Sequence, residues 1–172
     1  MGRRVLTLAD LIPPEPLAVC VGINPSPTSV AIGHYYQGPL GQRFFSRLRK
    51  AQLIDEAGNG FEDDSAFLRG IGFTDIVKRP TARAEDVSPA EMAAGALLLE
   101  ERLASVSPRL IVFTFKKTAE QLFGRFTGAG FNAQRTFAGS PCFVMPSPFA
   151  PAANAEELLV ELRQWVQDRA PQ

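Results

Sequence analysis

Short, largely apolar runs recur along the chain, and each one stops at turn-forming or charged residues. They lie at residues 17–23, 73–77, 110–113 and 141–145. Runs of this length without polar alternation are typical of strands that are buried on both faces of a sheet. The pattern therefore predicts four central strands.

Segments with apolar residues at helical spacing separate these strands. They predict two helices that begin after Ser88 and at Asn154, and three more over residues 43–53, 65–69 and 117–126. Ser88 is expected to form a capping box with Glu91, and Pro89 suits the first helical position. Alternating strands and helices predict a single domain over residues 1–172, an α/β protein built as a three-layer α/β/α sandwich with a central, mostly parallel sheet.

The carboxyl ends of the strands are the expected place for a functional site, because ligands of open parallel sheets bind there. Three strand ends carry polar residues: residues 24–26, 74–75 and 145–147 include Asn24, Ser26, Thr74, Asp75 and Ser147. Residues 24–42 are rich in Gly, Pro and Tyr and are predicted to form one long loop. Loops of that length in compact domains are commonly functional.

Cysteine and histidine are too scarce for several kinds of site. The sequence contains two cysteines, Cys20 and Cys142, and one histidine, His34. A cluster held by four thiolates is therefore excluded, and a tetrahedral zinc site would have few cysteine and histidine ligands. The cysteines form no C-x-x-C pair, which favours a reducing, cytoplasmic compartment over a disulfide framework. No apolar run approaches the roughly 20 residues of a membrane span, and the first ten residues lack a signal-peptide core.

The charges of the chain balance. Lys and Arg number 18 and Asp and Glu number 18, which gives a formal net charge of +0. Binding to nucleic acid through bulk positive charge is therefore excluded, whereas a local basic face is not. Basic residues near the predicted strand ends would either hold phosphates or be scattered solvated charges; they are Lys78, Arg79, Arg83, Lys116 and Lys117.

Asn24 and Asp75 are the polar side chains best placed for chemistry. The Asn24 amide would orient a water or bind the donor–acceptor edge of a pyrimidine, or it would start an Asx turn before Pro25. The Asp75 carboxylate would activate water or stabilise a developing cation, or it would pair with a neighbouring Arg.

Aromatic residues mark both predicted loops. His34, Tyr35 and Tyr36 lie in the first, where the tyrosines would either stack on a base or pack the loop against the body. Phe149 lies between prolines in the second, where it would either enter a base stack as a rigid wedge or anchor the loop by packing inward.

Four segments, taken together and in order, resemble the mismatch-specific uracil-DNA glycosylase and thymine-DNA glycosylase family. They are Gly22-Ile-Asn-Pro25, Gly33-His-Tyr-Tyr-Gln-Gly-Pro39 with Arg43-Phe-Phe45, Gly72-Phe-Thr-Asp-Ile-Val-Lys-Arg-Pro-Thr81, and Met145-Pro-Ser147. The resemblance implies a monofunctional DNA glycosylase that flips uracil out of mismatched duplexes such as G·U and excises it with water. Thymine and modified pyrimidines would be further substrates. It also implies double-stranded DNA as the partner, no metal or organic cofactor, a monomer, and base excision repair in the bacterial cytoplasm, at the nucleoid.

The matched motifs assign expected roles around the base. Asn24 would position the attacking water and help to bind the flipped base, Ile23 would bind it through its backbone, and Tyr36 would stack on it. Ser26 stands where the family usually has Gly and would contact the base. Asp75 stands where relatives carry Asn or Lys, and we expect it to be a second catalytic group.

The same motifs assign contacts to the DNA strand. Ser147 would hold a phosphate, Lys78 and Arg79 would add further phosphate contacts, and Phe149 would fill the gap that the flipped base leaves. Two other functions fit the same sequence: a non-catalytic domain that binds damaged DNA or nucleotides, and a glycosylase whose preference has moved to deaminated purines.

Overall fold

A computed structural model describes residues 4–58, 60–124 and 128–169 of the chain. Within these residues, one sheet contains five strands in the order β2-β1-β3-β5-β4. The strands are β1 (Ala18–Gly22), β2 (Ile71–Asp75), β3 (Ile111–Phe113), β4 (Gly130–Phe137) and β5 (Ser140–Val144). All four apolar runs of the sequence form strands, with bounds that differ from the predicted ones by at most two residues.

The sheet is mostly parallel, as predicted. β1 pairs in parallel with β2 and β3, and β3 pairs in parallel with β5. β4 is antiparallel to β5 and was not predicted, because it is an edge strand whose sequence mixes polar with apolar residues. In the β1–β2 register Gly22 pairs with Asp75, which places these two residues side by side at the carboxyl ends of their strands.

Helices pack on both faces of the sheet, which confirms the three-layer α/β/α sandwich. Ala18 and Cys20 of β1 enter one apolar core, and Val19 and Val21 enter a second core on the opposite face. The helices in the described segments are α1 (Pro27–Ile32), α2 (Pro39–Lys50), α3 (Glu62–Leu68), α4 (Pro89–Val106), α5 (Lys116–Phe123) and α6 (Ala152–Gln167). Helices α2, α3 and α6 supply the first core, and α4 and α5 supply the second. None of these helices is long and apolar enough to cross a membrane.

The prediction of one long loop over residues 24–42 is wrong. Helix α1 lies inside it, because the Ser26 hydroxyl accepts the Ser29 N–H at 3.1 Å and Pro27 occupies the first turn. Helix α2 likewise begins at Pro39 rather than at residue 43. Two short connections therefore replace the loop, and the second of them, residues 33–38, carries the tyrosines.

The predicted starts and ends of the other helices are confirmed at some positions and wrong at others. The capping box between Ser88 and Glu91 at the start of α4 is confirmed. Helix α6 begins after Pro151, so Asn154 lies inside the helix and is not its cap. Helix α3 begins at residue 62 rather than 65, and α5 ends at Phe123; the predicted extension to 126 reaches residues outside the described part of the chain.

Candidate active site

A cavity of about 360 Å³ opens at the carboxyl ends of β1, β2 and β3. Its volume lies within the range of roughly 300–1,000 Å³ that is typical of ligand sites. The side chains or backbone of these predicted residues line it: Ile23, Asn24, Ser26, Tyr36 and Asp75. The cavity therefore lies at the strand ends, where it was predicted, and the expected base-binding residues lie together around it.

The Asn24 side chain is held in one orientation by the segment that follows β2. Its Nδ2 donates to Thr81 Oγ1 at 2.7 Å and to the Arg79 carbonyl at 3.1 Å. Thr81 in turn donates its hydroxyl proton to the Arg83 carbonyl at 2.5 Å, so that the threonine oxygen must accept from the amide. This fixes which end of the amide is the donor and leaves Oδ1 without a donor among the described residues.

The orientation of Asn24 excludes the Asx turn, whereas its contact to a water or a base stays a prediction. An Asx turn would require Oδ1 to accept a backbone N–H two residues on, whereas the turn contact that forms is a donation from Nδ2 to the Pro25 carbonyl at 3.3 Å. The oxygen is therefore free to accept a hydrogen bond from a water or a base in the cavity. Thr81, which was not predicted from the sequence, orients the amide by accepting the hydrogen bond from Asn24 Nδ2.

Asp75 lies at the inner wall of the cavity with both carboxylate oxygens buried. Its side chain is 0% exposed, and neither oxygen has a hydrogen-bond partner in the described part of the structure. A Cβ at position 22 would overlap Asp75 Oδ1, so this close approach requires Gly22. The predicted alternative, an ion pair with a neighbouring Arg, is not formed: Arg102 donates to the Asp75 backbone carbonyl at 3.3 Å, and Arg79 pairs elsewhere.

Burial raises the pKa of Asp75 from its ordinary value of 3.8 to about 7. The ammonium of Lys78 and the guanidinium of Arg102 oppose this shift, whereas the negative charge of Asp10 adds to it. Asp10 lies between the two cations and pairs with both. The carboxyl of Asp75 therefore changes its charge near neutral pH, which suits a group that assists proton or cation chemistry.

The two tyrosines of the segment after α1 have different surroundings. Tyr35 is 3% exposed and donates its hydroxyl to the Ala9 carbonyl at 2.9 Å, so it packs the segment against the body. Tyr36 lines the cavity, with its ring edge-on to Phe44 and Phe73 at centroid distances of 5.2 and 5.9 Å. Burial and the nearby Asp75 raise the pKa of the Tyr36 hydroxyl well above its ordinary value, so that hydroxyl stays protonated.

Two other predicted base contacts already have partners within the protein. The Ser26 hydroxyl caps α1 and lies 3.0 Å from the Ser29 hydroxyl. Ile23 lines the cavity, and its carbonyl accepts the Val77 N–H at 2.9 Å. Direct contacts of these two residues to a base stay predictions.

The segment after β5 borders the cavity rather than lining it. Phe149 is 74% exposed, which contradicts the interpretation that it packs inward, and the Arg43 guanidinium lies 5.3 Å from its ring centroid. Ser147 is exposed, and its hydroxyl accepts the Phe149 N–H at 3.3 Å. A small recess lined by Arg43, Arg47, Pro146 and Pro148 adjoins the main cavity, with which it shares three lining residues: Phe44, Thr114 and Phe115.

Lys78 and Arg79 are engaged in ion pairs at the edge of the site. Lys78 pairs with Asp10, and Arg79 lies 2.5 Å from Glu91 and donates to the Asp86 carbonyl at 2.9 Å. Both cations are only partly exposed, and neither lines the cavity. The structure thus does not bring them to the base pocket, and their contacts to phosphate stay predictions.

His34, Asp63 and Asp64 form the group with metal-ligand spacing in the described residues, with ligand atoms within 4.8 Å of one another. The Asp63 oxygens, however, already accept hydrogen bonds from protein donors: the Tyr35 N–H at 2.7 Å and, at 2.9 Å, His34 Nδ1. The arrangement is therefore a hydrogen-bonded anchor for the tyrosine segment rather than an open cation site. His34 stands out in the sequence, but its hydrogen bond to Asp63 was not predicted, because the two residues lie 29 positions apart.

Comparison with known proteins agrees with this geometry. The family model of the uracil DNA glycosylase superfamily matches residues 9–168. The chain is also similar to a G/U mismatch-specific uracil DNA glycosylase of Schizosaccharomyces pombe, with 32% identity over 124 residues. That match covers 69% of this chain and 37% of the yeast protein, so the chain spans well under half the length of that relative. The extent of the family match shows that the chain belongs to the uracil DNA glycosylase superfamily.

Proposed function

We propose that the protein is a monofunctional DNA glycosylase that flips uracil out of mismatched duplexes such as G·U and excises it with water. The observation that carries this proposal is the fixed Asn24 amide, whose Oδ1 has no donor among the described residues and belongs to a cavity-lining side chain. The membership of the superfamily and the similarity to a protein described as mismatch-specific support the same reaction.

The reaction needs few groups, which agrees with so sparse a site. Breaking the N-glycosidic bond produces an oxocarbenium-like sugar and a pyrimidine anion. Asn24 Oδ1 orients a water towards C1′ of the sugar, and hydrogen-bond donors at the base carbonyls stabilise the leaving group. Tyr36 provides an aromatic surface for the flipped base, and base flipping costs least where the base is mispaired.

Asp75 adds a charge that responds to pH. Above about pH 7 its carboxylate is ionised, and the negative charge at the inner wall stabilises the oxocarbenium-like sugar or polarises the attacking water. This second catalytic group extends the reaction to bases other than uracil, including thymine and modified pyrimidines. The excision rate of the wild type then rises with pH through about 7, whereas the rate of Asp75→Asn does not. Undiminished turnover of that variant on every substrate would remove Asp75 from the mechanism.

Contacts to the DNA strand come from outside the cavity. Phe149 is exposed and flanked by prolines, so it enters the base stack at little conformational cost. Ser147 holds a phosphate beside it, and Lys78 and Arg79 exchange part of their ion pairing for phosphate contacts. With a net charge of +0, DNA affinity arises from this local face and depends on salt through a small number of contacts.

Release of free base from labelled duplexes tests this proposal. We expect uracil release from G·U, with A·U, G·T and single-stranded uracil ranking the substrate preference, and release unchanged by a chelator. Borohydride is expected to trap no covalent protein–DNA adduct, since the proposed nucleophile is water. Binding without release from any duplex would favour the non-catalytic DNA-binding function, and release of hypoxanthine or xanthine alone would favour a purine glycosylase.

A further inference from the structure

The backbone on both sides of Tyr36 is held by buried side chains. The Tyr35 N–H donates to Asp63 Oδ2 at 2.7 Å, and the Gln37 N–H donates to Ser29 Oγ at 3.1 Å. Asp63 is 2% exposed and Ser29 is 3% exposed. Two different helices, α3 and α1, therefore fix the residues that precede and follow Tyr36.

Asp63 makes a second contact that strengthens this anchor. Its Oδ1 lies 2.9 Å from His34 Nδ1, and the His34 ring stacks on Phe61 at a centroid distance of 3.6 Å. One buried carboxylate thus holds two consecutive residues of the segment, one through its backbone and the other through its side chain. Hydrogen bonds to a charged acceptor are stronger than those between neutral groups.

Tyr36 needs such support, because its backbone is in an unfavourable conformation. Its φ is +57°, in the left-handed region that residues other than Gly rarely adopt. Conformations of this kind persist only where the surrounding structure holds them in place. The next turn also approaches closely: a Cβ at Gly41 would overlap the Tyr36 carbonyl.

We propose that Asp63, assisted by Ser29, is a positioning residue that holds the Tyr36 ring in the orientation that receives the flipped base. This inference rests on the proposed function, in which Tyr36 stacks on that base. Asp63 does not line the cavity, so its effect on the reaction passes through the segment that carries Tyr36. Misplacement of a binding group by about 1 Å costs up to roughly 100-fold in rate.

Dependence on Tyr36 separates this role from a general contribution to folding. If Asp63 acts through the ring, removing the ring also removes the effect of Asp63, and the two substitutions are not additive. If Asp63 only stabilises the fold, its substitution slows the reaction by the same factor whether or not the ring is present.

The experiment compares single-turnover uracil release at saturating enzyme, with DNA affinity and melting temperature measured in parallel. We expect Asp63→Ala to slow release about 10- to 100-fold, and Asp63→Asn, whose amide can still accept from the Tyr35 N–H and donate to His34, to restore release to within about threefold of wild type. In a Tyr36→Ala background, Asp63→Ala should cost less than about threefold. Asp64→Asn is the matched control, because this neighbouring carboxylate is 59% exposed and lies 3.7 Å from His34.

An equal loss from Asp63→Ala with and without the Tyr36 ring would overturn the inference, as would an unchanged rate in Asp63→Ala itself. Should Asp63→Ala not fold, Ser29→Ala removes the other anchor from Gln37 and is subject to the same comparison. Because Ser29 itself lines the cavity, only a loss that disappears in the Tyr36→Ala background supports the inference there, and a loss that persists overturns it. A wild type that binds G·U duplexes and releases no base would instead refute the proposed function, which distinguishes the two failures.

Discussion

Replacing Asp75 by Asn removes a buried ionisable group and keeps the size and shape of its side chain. The carboxyl is 0% exposed, and in the folded protein burial raises its pKa to about 7, against an ordinary value of 3.8. Between those two values the folded protein holds a proton that the unfolded chain has lost. The contribution of this carboxyl to the free energy of unfolding therefore falls as the pH rises from about 4 to about 7 and is constant above that range.

The magnitude follows from the size of the shift. Each pKa unit corresponds to about 1.4 kcal/mol, so the whole shift corresponds to roughly 4 kcal/mol. Between about pH 5 and pH 8 the free energy of unfolding of the wild type should fall by about 2–3 kcal/mol more than that of Asp75→Asn. Any constant cost of burying an amide in place of the acid cancels in this comparison.

Urea unfolding of both proteins across that pH range measures the difference. Asp55→Asn is a suitable control, because the Asp55 side chain is 72% exposed and its removal should leave the pH dependence unchanged. A free-energy difference between wild type and Asp75→Asn that does not change with pH would refute the reasoning. It would show that the carboxyl is ionised throughout, stabilised by Lys78 and Arg102.

Substitutions of Thr81, Phe149 and Gly22 test three further features of the cavity and its border. Thr81→Val removes the acceptor for the Asn24 amide, so it should slow uracil release about tenfold at saturating enzyme and leave DNA affinity unchanged. Thr81→Ser keeps the hydroxyl and should restore the release rate. Equal rates in wild type, Thr81→Val and Thr81→Ser would contradict the role of Thr81 in orienting Asn24. Phe149→Ala should reduce excision from duplex DNA more than excision from single strands, since flipping is needed only in the duplex, and equal losses on both substrates would contradict a wedge. Gly22→Ala should destabilise the protein by about 1–3 kcal/mol through overlap with Asp75, as thermal unfolding can measure. That cost should shrink in an Asp75→Ala background, and a cost of the same size there would place the strain elsewhere.

The part of the fold that the sequence predicts best is the buried sheet, because strands covered on both faces must be apolar. Strand β4 escaped prediction because residues 130–137 mix polar with apolar residues, whereas β2, at the other edge, is buried along its whole length. Helix α1 escaped because it has only six residues and lies between Pro25 and Gly33, which favour a loop, although Ser26 followed by Pro27 is a helix start that could have been recognised.

Some residues of the candidate site were likewise predicted from the sequence, and others were not. Asn24 and Asp75 were found because Asn24 follows one buried strand and Asp75 lies near the end of another, and in the structure both line one cavity. Thr81 and Asp63 were missed because their roles depend on contacts over 57 and 28 positions of sequence, which no local pattern encodes. The ion pairs of Lys78 and Arg79 were missed for the same reason, since their partners lie on other segments.

The decisive test of whether Asn24 acts in uracil excision is single-turnover release of uracil from a G·U duplex by wild type and by Asn24→Ala. Asn132→Ala is the matched control, because the Asn132 amide bonds to the Gly130 carbonyl on β4, away from the cavity. We expect rapid release by the wild type and the control, and a rate at least about 100-fold lower in Asn24→Ala with DNA binding retained. Release by Asn24→Ala at the wild-type rate, or binding without release by the wild type, would contradict this expectation.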